Sequence, residues 1–208
     1  YSIINNLRIE DNSSVYCAPK SRMKLNTDGN FQNAYTDWNA DTMKKYNFFT
    51  GRFFNAFDLE LDYKPEVLIV TDIIKAGFTM VDVNTDVIQI LGRFRNGLES
   101  LTHIYNCNSG IVLKDKDEIE TEIKCLSYAY RTLETYYENS SAPASRRAFA
   151  ECLENHPFKK FLNQDGTVNW FAIDNKINYD LIMNHYASIE LIEKWYAESS
   201  LVNPTFVH

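Results

Sequence analysis

The sequence predicts an α/β fold, a parallel sheet flanked by helices over residues 1–110, followed by an all-helical extension over residues 111–208. Three observations carry that reading. Short β-rich runs recur at 15–18, 46–50, 67–70 and 102–106, far enough apart to hold a crossover connection between parallel strands. An apolar run at 87–94, with Arg93 near its end and Arg95 just after it, has helical spacing and sits between the last two of them. From Asp115 the period becomes helical: Ile119, Ile123, Leu126, Tyr130, Leu133 and Tyr137 fall at steps of four and three, one stripe of a long amphipathic helix.

In chain order, the run Val15 to Ala18 reads as a short buried strand closed by Pro19, whose ring cannot donate into a central ladder. Lys20, Ser21 and Arg22 follow as a polar loop at its carboxyl end, the edge where ligands collect in an open parallel sheet. Asp28-Gly29-Asn30 is a turn signal, and Asp41 can cap a short helix through Lys45. A sheet of this kind needs further strands, expected near the amino end and near Ala34. The aromatic strand from Tyr46 breaks at Thr50-Gly51; Val67 to Val70 supplies another strand, and a loop from Asp72 to Asn84 leads into the next helix.

That helix, Val87 to Phe94, stops at the turn dipeptide Asn96-Gly97. Gln89 and Arg93 lie four apart on one of its faces, and Gly92 leaves the surface between them bare, so that a neighbour can approach closely. Arg93 and Arg95 suit a phosphate, because each guanidinium is a planar, permanently charged fork that meets phosphoryl oxygens in pairs. In the extension, Asp117 is the expected N-cap of the long helix, and residues 139–143 form a polar linker. Ser145 can cap a helix over 146–155 that Pro157 ends. Trp170 and Phe171 are expected core anchors; two more helices, 178–186 and 188–197, turn Ile182, Tyr186, Ile189, Ile192 and Tyr196 inward.

Composition bounds the function. At 208 residues with 45% hydrophobic and 14% aromatic content, the chain can bury a usable core. No run approaches the ~18 apolar residues of a membrane span, and no leader pattern is visible, so a cytoplasmic protein without a membrane partner is expected. Cys17, Cys107, Cys125 and Cys152 are widely spaced, and His103, His156, His185 and His208 are scattered, which gives no zinc-type spacing and no metal assignment. A net charge of −7 excludes coating of nucleic acid by bulk attraction. Residues 1–110 are nearly balanced, with 11 Lys+Arg against 13 Asp+Glu, so any such contact must be local.

The pattern Gln89-x-x-Gly92-Arg93-x-Arg95 resembles the last signature of superfamily 2 helicases and translocases, Q-x-x-G-R-x-x-R, in a shortened form similar to that of herpesvirus-type origin-binding helicases. The resemblance implies a RecA-like C-terminal helicase lobe in which Gln89 and Gly92 face a nucleotide and Arg93 or Arg95 is the arginine finger. Thr50, Ala56 and Asp58 have the spacing T-x5-[GA]-x-D and resemble the fifth signature, which implies a nucleic-acid contact at Thr50, shared with Lys20 and Ser21, and a nucleotide-side role for Asp58. Thr71, Gly77 and Thr79 are similar to the same signature. Connection length favours Thr50 and Asp58, since the stretch from Ala56 to Gln89 leaves room for an intervening strand.

No G-x-x-x-x-G-K-[ST] loop occurs, and no Asp-Glu pair follows a strand to hold magnesium. The resemblance therefore implies that ATP and Mg are bound mainly by an N-terminal RecA-like lobe of the same longer protein, that DNA or RNA is the track, and that this chain alone is inactive. The helical extension would dock a replication or mobile-element protein. The alternative is a non-catalytic nucleic-acid or protein interaction module on the same α/β platform.

Overall fold

A computed structural model describes residues 2–53, 58–200 and 202–207. The fold is mixed α/β, with two short, wholly parallel sheets and seven α-helices among the described residues. The chain divides into two compact units: residues 1–72 with 76–105, and residues 73–75 with 106–208.

In the first unit, α1 (Ser2–Leu7) precedes β1 (Ser13–Tyr16), which is the middle strand of a three-stranded sheet. Parallel neighbours lie on both sides, β2 (Ala34–Tyr35) and β3 (Tyr46–Phe49), with Val15 opposite Ala34 and Tyr16 opposite Phe49. All four β1 residues are buried, as expected of a strand covered on both faces. Its two serines are satisfied by Ile9 O at 2.7 Å and Thr42 O at 2.6 Å. Ile4, Val15, Cys17, Phe31 and Ala34 form the core beneath it.

Two local expectations change here. Pro19 opens α2 (Pro19–Thr27) at its first position, so Lys20, Ser21 and Arg22 lie in a helical turn, not a loop. The ring's fixed φ suits that position, and its missing N–H would find no helical partner there anyway. Asp41 caps nothing: a 3₁₀ turn over Ala40–Thr42 is capped by Asn39, whose side chain accepts from the Asp41 N–H.

The remaining strands make a separate sheet, so there are two sheets where the sequence suggested one. β4 (Glu66–Thr71) pairs with β5 (Ser100–Tyr105) in parallel along its full length. Helix α3 (Asp86–Arg93) crosses between them and packs Val87 and Ile90 against Ile69 and Val81. Burial alternates along β4, with Ile69 and Thr71 turned inward and Leu68 and Val70 outward.

The second unit is helical. α4 (Lys116–Asn139) starts one residue after Asp115, which is its true cap; Asp115 accepts from the Glu118 N–H while Glu118 returns the bond to the Asp115 N–H, a reciprocal capping box that Asp117 cannot make. α5 (Pro143–Glu154) begins at Pro143, ahead of Ser145. α6 (Trp170–His185) and α7 (Ile189–Glu198) follow, capped by Asn169 and Ser188. The core joins Ile119, Ile123 and Tyr130 of α4 to Phe158, Phe161, Ile173 and Ile177.

Trp170 and Phe171 are not core anchors: they are 70% and 74% exposed on the first turn of α6, because the inward face of that helix is set by Ile173 and Ile177 four residues apart. Tyr186, Ile192 and Tyr196 are buried as expected, whereas Ile189 is exposed. No helix among the described residues is long and apolar enough to cross a membrane.

Candidate anion site

The end of α3 carries the most chemically pointed arrangement in the chain. Arg93 is the last residue of the helix, Phe94 closes it, and Asn96-Gly97 turns the chain, with Gly97 at φ +78° and its N–H on Phe94 O at 2.9 Å. A side chain at that φ would be strained, which is why glycine stands there. The segment that begins at Asp58 runs alongside: Leu59 N donates to Arg93 O (2.7 Å), Arg95 N donates to Leu59 O (3.0 Å), and Asn96 Nδ2 donates to Leu61 O (2.7 Å). These bonds place the Asp58 carboxylate between the two arginines.

Arg93 Nη1 reaches Asp58 Oδ1 at 3.3 Å, and Arg95 Nη2 reaches Oδ2 at 2.6 Å. Three residues expected at a nucleotide are thus in direct contact. Arg95 is 55% exposed, Arg93 28% and Asp58 37%, so the cluster opens to solvent and each pair contributes well under about 1 kcal/mol. Arg93 Nε is buried and has no hydrogen-bond partner among the described residues. Gln89 stands one turn earlier, half-buried. A methyl group placed on Gly92 would meet nothing within 4 Å, so no part of the described chain approaches that surface. Ala56 lies outside the described residues.

Thr50, Lys20 and Ser21 lie elsewhere, each just past the carboxyl end of a strand of the three-stranded sheet. Thr50 directly follows β3 and its N–H bonds to Tyr16 O at 3.1 Å, which sets it beside the connection that enters α2. All three residues are exposed. No hydrogen bond or ion pair links them to the Asp58 cluster among the described residues.

The alternative threonine behaves differently. Thr71 is 3% exposed, and its hydroxyl donates to Thr79 O (3.0 Å) while meeting His103 Nε2 at 2.9 Å. With that proton committed, Nε2 must carry the hydrogen donated to Thr71. Thr79 Oγ1 in turn accepts from Asp72 N (2.8 Å) and donates to Ala76 O (2.7 Å), so the turn after β4 is closed on itself. Burial pushes the His103 imidazole down to about 4, which keeps it neutral. No local pattern marks this role, because the histidine acts 32 residues from its partner. Burial likewise raises the Cys17 thiol and makes it a poor nucleophile.

No family model, curated protein or solved structure matches the chain. Among the described residues no group of three His, Cys, Asp or Glu side chains converges as a metal site. What the α3 terminus offers is two permanently charged forks converging on one carboxylate, with Arg93 Nε left without a partner among the described residues. Paired guanidinium forks of this kind match the geometry of carboxylate and phosphoryl oxygens.

Proposed function

We propose that this chain is the C-terminal RecA-like lobe and helical extension of an ATP-dependent nucleic-acid helicase or translocase, and that the α3 arginines are its contribution to ATP hydrolysis. The observation that carries the reading is the convergence of Arg93 and Arg95 on one anionic group, within a Gln89-x-x-Gly92-Arg93-x-Arg95 pattern at the end of a helix that crosses between parallel strands. Phosphoryl transfer depends mainly on positioning and charge stabilisation, so a lobe that supplies only arginines suffices if another lobe holds ATP and Mg. That other lobe carries the phosphate loop this chain lacks.

The bare surface at Gly92 fits a close approach by that partner, with Gln89 beside the nucleotide. Asp58 holds the arginines on the nucleotide side. Exposed Thr50, with Lys20 and Ser21 at the same sheet edge, contacts the backbone of DNA or RNA; its exposure, set against the burial of Thr71, favours it as the strand-contacting threonine. The protein works in the cytoplasm, and its helical unit docks a replication or mobile-element protein.

The test is reconstitution. A polypeptide carrying the phosphate-loop lobe joined to this chain should hydrolyse ATP, faster with single-stranded nucleic acid, and neither part should do so alone. Equal turnover with and without this chain removes the reading. A second reading, an interaction module without turnover, is favoured by the exposed Trp170 and Phe171 pair on α6 and predicts partner binding that ATP leaves unchanged.

A further inference from the structure

Asp58 occupies the position at which the two guanidiniums converge. A carboxylate and a phosphate cannot share it, since both are anions and both need the same N–H donors. We propose that Asp58 is an internal stand-in for the phosphate: it holds Arg93 and Arg95 in place while the site is empty, and an incoming polyphosphate must displace it. The inference rests on the phosphate-facing role proposed above for α3, and assigns Asp58 the part of competitor instead of nucleotide ligand.

The geometry supports displacement over permanent structure. Asp58 Oδ2 to Arg95 is short at 2.6 Å, whereas Oδ1 to Arg93 is long at 3.3 Å, and Arg93 Nε has no partner among the described residues. One carboxylate therefore leaves the donor set incompletely used. A terminal phosphate has three oxygens and a larger charge, which matches two forks better than two oxygens do. The bonds donated by Leu59 N to Arg93 O, by Arg95 N to Leu59 O and by the Asn96 side chain to Leu61 O fix the segment independently of the Asp58 side chain. The carboxylate can therefore swing out by rotation of its own side chain, without unfolding the strand of chain beside α3. Its partial exposure means that water can receive it.

Such a competitor keeps the arginines ordered yet lets only a stronger anion in. Chloride or a single carboxylate gains too little from the exchange; a triphosphate gains enough. The guard thus acts as a threshold on charge.

The experiment uses the whole chain and inorganic tripolyphosphate as probe, with binding followed by titration calorimetry at low salt. Asp58→Asn and Asp58→Ser should each bind tripolyphosphate about tenfold more tightly than the wild type, the factor expected from removing two exposed ion pairs as competitors. Arg93→Ala or Arg95→Ala placed on Asp58→Asn should abolish that gain. Affinity equal to or below the wild type in both Asp58 variants overturns the proposal. In the wild type itself, tripolyphosphate should shift the Asp58 carboxyl carbon resonance together with the arginine Nε–H signals. Arginine signals that move while Asp58 stays still overturn it without reliance on any variant. ATP turnover insensitive to the arginines, alongside tighter tripolyphosphate binding by the Asp58 variants, would sink the motor reading and leave the guard standing.

Discussion

Acidification should load a proton onto His103 in the unfolded chain well before it does so in the folded one. Burial lowers the folded imidazole from 6.5 to about 4. The group is mostly neutral in both states at pH 7, and its contribution to the pH dependence is small there. As pH falls below 6.5 the unfolded state takes up a proton that the folded state refuses, so stability is lost progressively down to about pH 4. The full difference amounts to at most about 3 kcal/mol, with a steepest slope of about 1.4 kcal/mol per pH unit. Asp86 has the opposite sign: burial raises its carboxyl, so it adds stability as pH falls. The comparison with a His103 variant cancels that contribution. His103→Gln keeps an N–H within reach of Thr71 Oγ1 and cannot titrate. Urea unfolding of both proteins between pH 7 and 4 should show the wild type losing stability more steeply. Parallel curves, or an imidazole resonance titrating near 6.5, would refute the reasoning.

Four further outcomes follow from capping, packing and backbone freedom. Asp115→Ala removes the cap of α4 and should cost about 1 kcal/mol in denaturant unfolding. Phe158→Ala, at 1% exposure, should cost about 3–5 kcal/mol, whereas Trp170→Ser should change stability by less than about 0.5 kcal/mol despite removing a larger ring. Gly92→Ala should raise the melting stability of this chain by up to about 1 kcal/mol, since the space is open, and should lower ATP turnover once a partner lobe closes on that surface.

The parts of the fold that local pattern decides were legible. The α4 stripe of Ile119, Ile123 and Tyr130 is buried as its spacing requires, and the runs at Val15, Phe48, Val67 and His103 all became strands. Of the two further strands expected, the one near Ala34 is present, whereas the amino end forms the helix α1. What failed did so for identifiable reasons. Pro19 both ends a strand and opens a helix, and only the next turn of chain decides which. Large aromatics are a one-way guide to burial, so Trp170 and Phe171 misled, and the cap at Asn169 that starts α6 was the better signal. The division into two sheets depends on pairings between distant strands, which no window of sequence contains. At the site, Arg93, Arg95 and Asp58 were singled out separately, but their meeting across 35 and 37 positions was not readable, nor was the bond from His103 to Thr71.

ATP turnover at saturating nucleotide and nucleic acid, in the protein that joins this chain to a phosphate-loop lobe, bears most directly on the role of the α3 arginines. At least one of Arg93→Ala and Arg95→Ala should lower the rate by about a thousandfold with little change in ATP affinity, as loss of an arginine finger does. Rates within a factor of about two of the wild type in both variants would contradict the role given to helix α3.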